Sequence, residues 1–164
     1  MIVAFSNHYK KHKDSFLLIG GSLPQFLKEK YEGLTKKYLN VHSSKVCFRH
    51  MTEEEKNLYF SASDVLVLPY KTIYQSGSAQ VGLLFGMPII ATALEGFGKA
   101  IQDNVNGIVV DSPSVQKIES AINRILECDM DYFGKNSRII LEKDFSLEEK
   151  ANDIYSFLNG WKEV

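Results

Sequence analysis

The stretch from Ser63 to Thr92 limits the fold more than any other part of this sequence. It opens with a short apolar run, Asp64–Leu68, whose branched residues are typical of a strand covered on both faces. Pro69 has no N–H for a hydrogen-bonded ladder and ends that strand. A polar loop, a helix and a second buried strand follow, and this order predicts parallel strands joined by helices.

The helix in this stretch begins with small residues, Gln75-Ser76-Gly77-Ser78, followed by Ala79. A helix N-terminus presents free N–H groups and the positive end of the helix dipole, and small residues let an anion approach them. In an open α/β sheet, ligands bind at the carboxyl ends of the strands, where this loop lies. We therefore expect a phosphate cradle here, although Ser and Gly are also common as ordinary helix caps.

Five apolar runs alternate with helical patterns along the chain. They are Ser15–Gly20, Lys45–Phe48, Asp64–Leu68, a run that opens with Pro88, and Ile108–Val110. The alternation predicts an α/β fold, a Rossmann-like doubly wound parallel sheet of about five strands with helices on both faces.

Local signals place several helices within this pattern. Thr52–Glu55 and Ser146–Glu149 each have the spacing of a capping box and predict helix starts. Thr92–Gly98 reads as a glycine-rich loop, and we expect a helical turn over Lys99–Asp103. The chain contains neither G-x-G-x-x-G nor G-x-x-x-x-G-K-[ST], which argues against an ordinary dinucleotide-binding or P-loop protein.

Composition narrows the class further. The 164 residues fit one domain, 1–164, and 45% hydrophobic content favours a packed globular chain. A net charge of −1 gives no field for nucleic acid. Cys47 and Cys128 have no metal-ligand spacing, and no apolar run approaches the ~20 residues of a membrane span. We expect a cytoplasmic protein without a metal site.

The order of motifs from Val46 to Ser112 resembles the C-terminal, donor-binding domain of retaining GT-B glycosyltransferases of the glycosyl transferases group 1 type. Flanking segments fit more loosely, so the similarity spans nearly the whole chain. The matching segments are Val46-Cys47-Phe48, the acidic helix Glu53–Tyr59, Ser63–Pro69, Gln75-Ser76-Gly77-Ser78, Gly86–Thr92, Gly96-Phe97-Gly98 and Asp103–Val110.

This resemblance implies a hexosyltransferase of polysaccharide biosynthesis that uses a UDP- or GDP-sugar as donor and a glycan or lipid-linked acceptor, with no further cofactor and no metal. It places the donor diphosphate at Ser76, Gly77, Ser78 and Ala79. Weaker candidates for the nucleoside or sugar are His50, Met51, Lys71, Gln75, Gln80 and Glu95. The resemblance points to no individual catalytic residue.

The chain also departs from the family pattern. Two glutamates separated by seven residues are common in the family, and here their positions hold Ile73 and Val81. Gln80 is a weak substitute for the glutamate that usually holds the ribose. An alternative is therefore a non-catalytic, degenerate glycosyltransferase-like domain, or another Rossmann-like binding domain.

The family's first strand, with its basic residues, has no counterpart here, nor does the N-terminal acceptor domain. We therefore expect the isolated chain to be inactive, and any peripheral membrane association to run through the missing half. In the family's strand order the absent strand lies between Ser15–Gly20 and Asp64–Leu68. We expect those two strands to pair directly, or another chain or terminus to fill the gap.

Overall fold

A computed structural model describes residues 1–145 of the chain. The helices are α1 (Ile2–Tyr9), α2 (Gln25–Tyr38), α3 (Glu53–Ser61), α4 (Gly77–Leu84), α5 (Val115–Ile125) and α6 (Met130–Phe145). The strands are β1 (Leu17–Gly20), β2 (Ser44–Cys47), β3 (Leu66–Leu68), β4 (Ile89–Thr92) and β5 (Gly107–Val110). The α/β class and the five strands are confirmed, whereas the capping box predicted at Ser146 lies outside the described residues.

The strands form two sheets instead of one, and within each sheet they run parallel. One sheet has the order β1-β2 and the other has the order β3-β4-β5. Within residues 1–145, β1 and β3 are not hydrogen-bonded to each other, so direct pairing, the first of the two expected arrangements, is wrong. The second, in which another chain or terminus fills the gap, stays a prediction. Among the described residues, the edge of β1 that faces away from β2 and the edge of β3 that faces away from β4 have no partner strand.

The main core lies around the three-stranded sheet. Every residue of β4 is buried, because this strand has a neighbour on each side and helices on each face. One apolar cluster joins β3 and β4 to α4 and α6, and a second joins β4 and β5 to α1 and α5. By contrast, α2 and α3, which flank the β1-β2 sheet, contain no buried residue.

Helix α1 connects the two sheets. It packs against α2, which leads from β1 to β2, and against α5, which covers β4 and β5. The ring of His8 is buried and hydrogen-bonds to Asn123 Oδ1 on α5 at 2.6 Å and to Ser15 Oγ just before β1 at 2.9 Å. Asn7 Nδ2 donates to Glu119 Oε2 on α5 at 3.0 Å. These contacts tie α1 to α5 and to the segment just before β1.

Two local predictions have opposite outcomes. The capping box is confirmed at Thr52, whose hydroxyl accepts from the backbone N–H of Glu55 while the Glu55 carboxylate accepts from the N–H of Thr52. The helical turn expected over Lys99–Asp103 is wrong, since the turn is a 3-10 helix over Glu95–Phe97. Phe97 is buried there against the ring of Tyr70, which draws the turn toward the start of the loop.

Candidate functional site

A cavity of about 370 Å³ opens beside the start of α4. Three segments form its wall: the loop before α4 with the first turn of that helix, the turn after β4, and the end of α6. The lining residues are Tyr74, Gln75, Ser76, Ala79, Gln80, Glu95, Gly96, Phe97, Gly98, Lys99, Ala100, Asp144 and Phe145. The structure thus brings together Gln75, Ser76, Ala79, Gln80 and Glu95 from the residues that the sequence singled out.

The first turn of α4 has donors available for an anion. Ser76 is the N-cap, and its side-chain oxygen accepts from the Ala79 N–H at 3.1 Å. The N–H groups of Gly77 and Ser78 find no acceptor elsewhere in residues 1–145. A Cβ built on Gly77 would meet nothing within 4 Å, so this end of the helix is open. The start of α4 therefore has two free backbone N–H groups, those of Gly77 and Ser78, while the Ala79 N–H is bonded to the capping serine.

The loop before α4 is held against the end of β4. The Thr92 hydroxyl, itself buried, donates to the carbonyl of Tyr70 at 2.6 Å. The ring of Tyr70 stacks on Phe97 with centroids 5.9 Å apart and planes 12° apart. These two contacts set the path of the loop from its first residue, and with it the position of the residues that lead into α4.

A close backbone contact joins the middle of this loop to the turn after β4. A Cβ on Gly96 would lie 2.5 Å from the carbonyl oxygen of Ile73, so a glycine is needed for this approach. Ile73 itself is half-buried and packs against the core cluster of β3, β4 and α4. At one of the two positions where the family commonly has a glutamate, the side chain therefore serves packing and brings no carboxylate to the cavity.

Two charged residues of the cavity wall escaped sequence reasoning. Lys99 Nζ lies 3.7 Å from Asp144 Oδ1, with Lys99 mostly exposed and Asp144 mostly covered. A lysine that follows a glycine turn is a signal that could have identified Lys99. Asp144 lies far along the chain on α6, and no local pattern connects it to the loop. The cavity wall therefore carries the carboxylates of Glu95 and Asp144 and the ammonium group of Lys99, in addition to the start of α4.

Five other predicted residues are not part of this cavity wall. Gly77 and Ser78 belong to the first turn of α4 but do not line the cavity, and Lys71 is exposed on the loop. His50 is exposed just beyond β2, where its carbonyl accepts from Arg49 Nη1 at 2.9 Å. Met51 is buried, and its sulfur occupies the space that a Cβ on Gly20 would need, so this side chain has a packing role at the end of β1.

A second cavity, of about 820 Å³, lies beside the outer edge of β2 between α2 and α3. Met51 lines it, together with Arg49, Glu55 and Tyr59, whose hydroxyl is buried without a hydrogen-bond partner among the described residues. Arg49 Nη2 lies 2.5 Å from Glu55 Oε1. Because Arg49 and the backbone of Thr52 both hydrogen-bond to it, the pKa of the Glu55 carboxyl falls to about 2.

Residues 1–140 match the family described as Glycosyl transferases group 1. This chain belongs to the glycosyl transferases group 1 family. It is 25% identical to the glycogen synthase of Protochlamydia amoebophila (strain UWE25) in a match that covers 88% of this chain and 31% of that protein. The chain therefore spans about a third of its curated relative.

Solved structures of glycosyltransferases share the fold. Anabaena Alr3699/HepE in complex with UDP superposes with a TM-score of 0.79 at 14% identity, over 96% of this chain and 44% of that one. The C-terminal domain of the group 1 family protein LpcC from Francisella tularensis superposes with a TM-score of 0.78 at 16% identity, over 89% of this chain and 77% of that one. The fold is that of the C-terminal half of a GT-B glycosyltransferase.

The described part of the chain lacks two features, a membrane-spanning helix and a cluster of metal ligands. Within residues 1–145, no helix is both long and apolar enough to cross a membrane. In the same part of the chain, no three His, Cys, Asp or Glu side chains are grouped so that they could hold a metal ion.

Proposed function

We propose that this chain is the donor-binding domain of a glycosyltransferase and binds a nucleotide-diphosphate sugar at the start of α4. The observation that carries the proposal is the pair of free N–H groups of Gly77 and Ser78, capped by Ser76, beside a cavity of about 370 Å³. A relative with the same fold has been solved in complex with UDP. The position of the site at the carboxyl ends of β3 and β4 agrees with ligand binding in other open α/β sheets.

In this proposal the diphosphate lies at Ser76, Gly77, Ser78 and Ala79, and the sugar extends toward Gln75, Gln80 and Glu95 with Lys71 nearby. The free N–H groups and the helix dipole stabilise negative charge at this point. Charge on the diphosphate grows as it leaves the hexosyl group, so the same donors assist the transfer. The base lies near His50 and Met51, at the carboxyl end of β2.

A glycan or lipid-linked acceptor requires a second domain in this proposal. The chain corresponds to 31% of the curated relative and 44% of the UDP-bound one, so more than half of each relative lies outside the match. The single domain 1–164 then binds the donor but transfers no sugar when alone. Free thiols at Cys47 and Cys128 fit a reducing compartment, which supports a cytoplasmic location.

A second candidate function is a non-catalytic nucleotide-binding domain. Ile73 packs into the core and Val81 is apolar, so neither of the two positions supplies a carboxylate to the donor. Under this second candidate function, the domain binds a nucleotide but transfers no sugar, even when an acceptor domain is present.

NMR titration of the chain with UDP and with GDP tests the proposal. We expect saturable shifts of the amide signals of Gly77, Ser78 and Gln80 with one of the two nucleotides. Isothermal calorimetry on the same samples gives the affinity. Absence of saturable binding of either nucleotide would overturn the proposal.

A pair of matched variants separates binding from helix stability. Ser78→Asp places a carboxylate at the second position of α4, and Gln116→Asp does the same on α5, whose N-cap is also a serine. Each carboxylate should stabilise its helix by about 0.3–1 kcal/mol through the helix dipole. Only Ser78→Asp should repel the diphosphate, and we expect it to weaken nucleotide binding about tenfold or more. Equal affinities for the two variants would exclude the start of α4 as the diphosphate site.

A further inference from the structure

The outer edge of β2 lies open along the larger of the two cavities. In the described chain, β2 is paired with β1 alone, so its other edge faces no strand. The cavity of about 820 Å³, here called the edge groove, is lined by the successive residues Lys45–Phe48 and by α2 and α3. Successive residues of a strand point to opposite faces of a sheet, so a cavity that contacts all of them must wrap around the edge. The edge groove is therefore placed to hold a segment beside β2.

The hydrogen bonds to β1 show which backbone groups face the edge groove. The carbonyls of Ser43 and Cys47 accept hydrogen bonds from the β1 segment, so these residues point toward β1. Alternate residues of a strand point to opposite sides, so Ser44 and Val46 direct their N–H and C=O groups away from β1. Neither of these N–H groups finds an acceptor within residues 1–145. An extended peptide laid along this edge can pair with both residues, as in strand addition to an exposed sheet edge.

The walls of the edge groove carry an excess of positive charge. The charged lining residues are Lys28, Glu32, Lys36, Lys45, Arg49 and Glu55. Both carboxylates are already paired, one with Lys28 at 4.0 Å and the other with Arg49 at 2.5 Å. Lys36 and Lys45 form no ion pair within residues 1–145. Two cations of the wall are thus uncompensated, and the edge groove favours an anionic occupant.

The two unpaired lysines lie toward opposite faces of the sheet. Lys45 Nζ lies 5.9 Å from the centroid of the Tyr59 ring on α3. Phe48 points to the other face by the alternation of the strand, and its ring lies 6.4 Å from that of Tyr31 on α2, the helix that also carries Lys36. Consecutive side chains of an extended occupant alternate between the same two faces. Two adjacent carboxylates on the occupant would therefore each meet one lysine.

Uncharged groups of the wall fit the rest of such a segment. Leu58 lines the edge groove from α3 and is largely exposed, so an apolar side chain of the occupant would cover it. The Tyr59 hydroxyl is buried without a hydrogen-bond partner within residues 1–145. Buried hydroxyls in folded proteins normally have a partner, so an acceptor brought to this wall would satisfy it.

We propose that the edge groove binds an extended, acidic segment of a partner protein, which adds to the β1-β2 sheet beside β2. Two adjacent acidic residues of the segment lie at Lys36 and Lys45, and its backbone pairs with Ser44 and Val46. An apolar side chain of the segment covers Leu58. The site is separate from the start of α4 and does not depend on nucleotide binding.

Two other occupants fit the edge groove less well. A second copy of this chain docked by the same edge would bring two sets of Lys36 and Lys45 together, and like charges across paired strands are destabilising. A single strand of nucleic acid is anionic, but it offers no row of alternating N–H and C=O groups to Ser44 and Val46. An acidic peptide segment meets both the charge and the backbone groups.

Blocked synthetic peptides added to the 164-residue chain test the proposal. The probe has about seven residues, with two adjacent glutamates flanked by valine and threonine, and the matched control carries two glutamines instead. NMR follows the backbone amides in the absence of nucleotide. We expect the glutamate peptide to give saturable shifts at the amides of Ser44 and Val46, with a higher affinity than the glutamine peptide.

Hydrogen exchange shows whether the peptide pairs with the strand edge. With about nine-tenths of the chain bound, exchange at the Ser44 and Val46 amides should slow about tenfold, because only the free chain exchanges there. The amides of Leu17 and Gly21 are already bonded to the β2 segment and serve as internal references. Shifts without slower exchange would mean that the peptide binds by charge alone, which would overturn strand addition.

Lysine variants test the charge complementarity. Lys36→Gln and Lys45→Gln each remove one cation of the wall, while Lys30→Gln removes an exposed cation of α2 that does not line the edge groove. We expect each of the first two to weaken binding of the glutamate peptide about two- to fivefold, the effect of an exposed ion pair. Lys30→Gln should leave the affinity unchanged.

Several results would overturn the proposal. They are the absence of saturable shifts at Ser44 and Val46 up to the solubility limit of the peptide, equal affinities for the two peptides, and equal effects of Lys36→Gln and Lys30→Gln. If a short oligothymidylate shifts these amides and the glutamate peptide does not, the edge groove binds nucleic acid and the proposal is wrong.

Discussion

The hydroxyl of Thr92 joins the end of β4 to the loop that follows β3, through its hydrogen bond to the Tyr70 carbonyl at 2.6 Å. Thr92→Val removes that bond while preserving the shape of the side chain, and leaves the carbonyl without this donor. We expect a loss of about 1–3 kcal/mol in the free energy of unfolding, measured by urea titration. Thr92→Ser keeps the hydroxyl, so its free energy of unfolding should fall distinctly less than that of Thr92→Val. Similar losses for the two variants would show that the hydroxyl contributes little.

The Glu55 carboxyl makes the stability of the folded chain depend on pH. Its pKa lies at about 2, below its ordinary value of 4.5, because Arg49 and the Thr52 N–H hydrogen-bond to the carboxylate. A lowered pKa means that the stabilisation is present above the ordinary value and is lost as pH falls toward about 2. We expect melting temperatures of the wild type to fall more steeply than those of Glu55→Gln between pH 5 and pH 2.

Salt provides the control for this pH effect. The Arg49–Glu55 pair is exposed, so 1 M salt should bring the two pH profiles closer together. Parallel profiles at low salt would show that the ionised carboxylate contributes no stability to the folded chain.

The sequence predicts such local contacts better than distant ones. The bond between Thr52 and Glu55 lies within one helical turn, and the spacing of the two residues was enough to predict it. The bond from Thr92 to Tyr70 spans 22 residues, and nothing near either residue indicates it. The same distinction explains why the helix start at Ser76 was predicted while the Lys99–Asp144 pair was missed.

Two glycines inside helices are expected to respond to alanine with opposite signs. Gly33 lies on α2, and a Cβ there would meet nothing within 4 Å. Gly134 lies on α6, where a Cβ would sit 2.6 Å from the carbonyl oxygen of Gly86 at the end of α4. Gly33→Ala should therefore stabilise the chain by about 0.5–1 kcal/mol, the helix-propensity difference.

Gly134→Ala should instead destabilise the chain by about 1–3 kcal/mol, because the new methyl group would force α6 away from the backbone at Gly86. Thermal unfolding of both variants beside the wild type measures the two effects. A gain in stability from Gly134→Ala would mean that the contact between α4 and α6 is looser than the structure shows.

At the scale of elements, periodicity predicted most helices and strands because it depends on neighbours within a few residues. The failure at Lys99–Asp103 has a tertiary cause: the burial of Phe97 against Tyr70 places the turn several residues earlier. The polar loop before α4 was predicted, but its path depends on Gly96, whose contact with Ile73 belongs to no local pattern.

Stability should be uneven across the whole molecule. The buried clusters lie around β3, β4 and β5, whereas α2 and α3 contain no buried residue. We expect hydrogen exchange to be markedly faster in β1, β2, α2 and α3 than in β4 and α5. Uniform protection along the chain would indicate that the two sheets unfold as a single unit.

At the scale of the whole molecule, the order of the strands in the sheets was the feature that the sequence predicted least well. Each strand was predicted, because a short run of residues specifies a strand. Which strands pair depends on backbone edges that meet across the fold, and of the two arrangements expected for β1 and β3 the direct pairing is not found among the described residues.

This separation has a consequence for a ligand that reaches across it. Under the proposed function, the base of the nucleotide rests at the end of β2 and the diphosphate at the start of α4, which belong to different sheets. The distance between the two sheets then decides whether one nucleotide can reach both positions. Because a nucleotide has a fixed length, its affinity depends on how closely the two sheets are held at the distance that it spans.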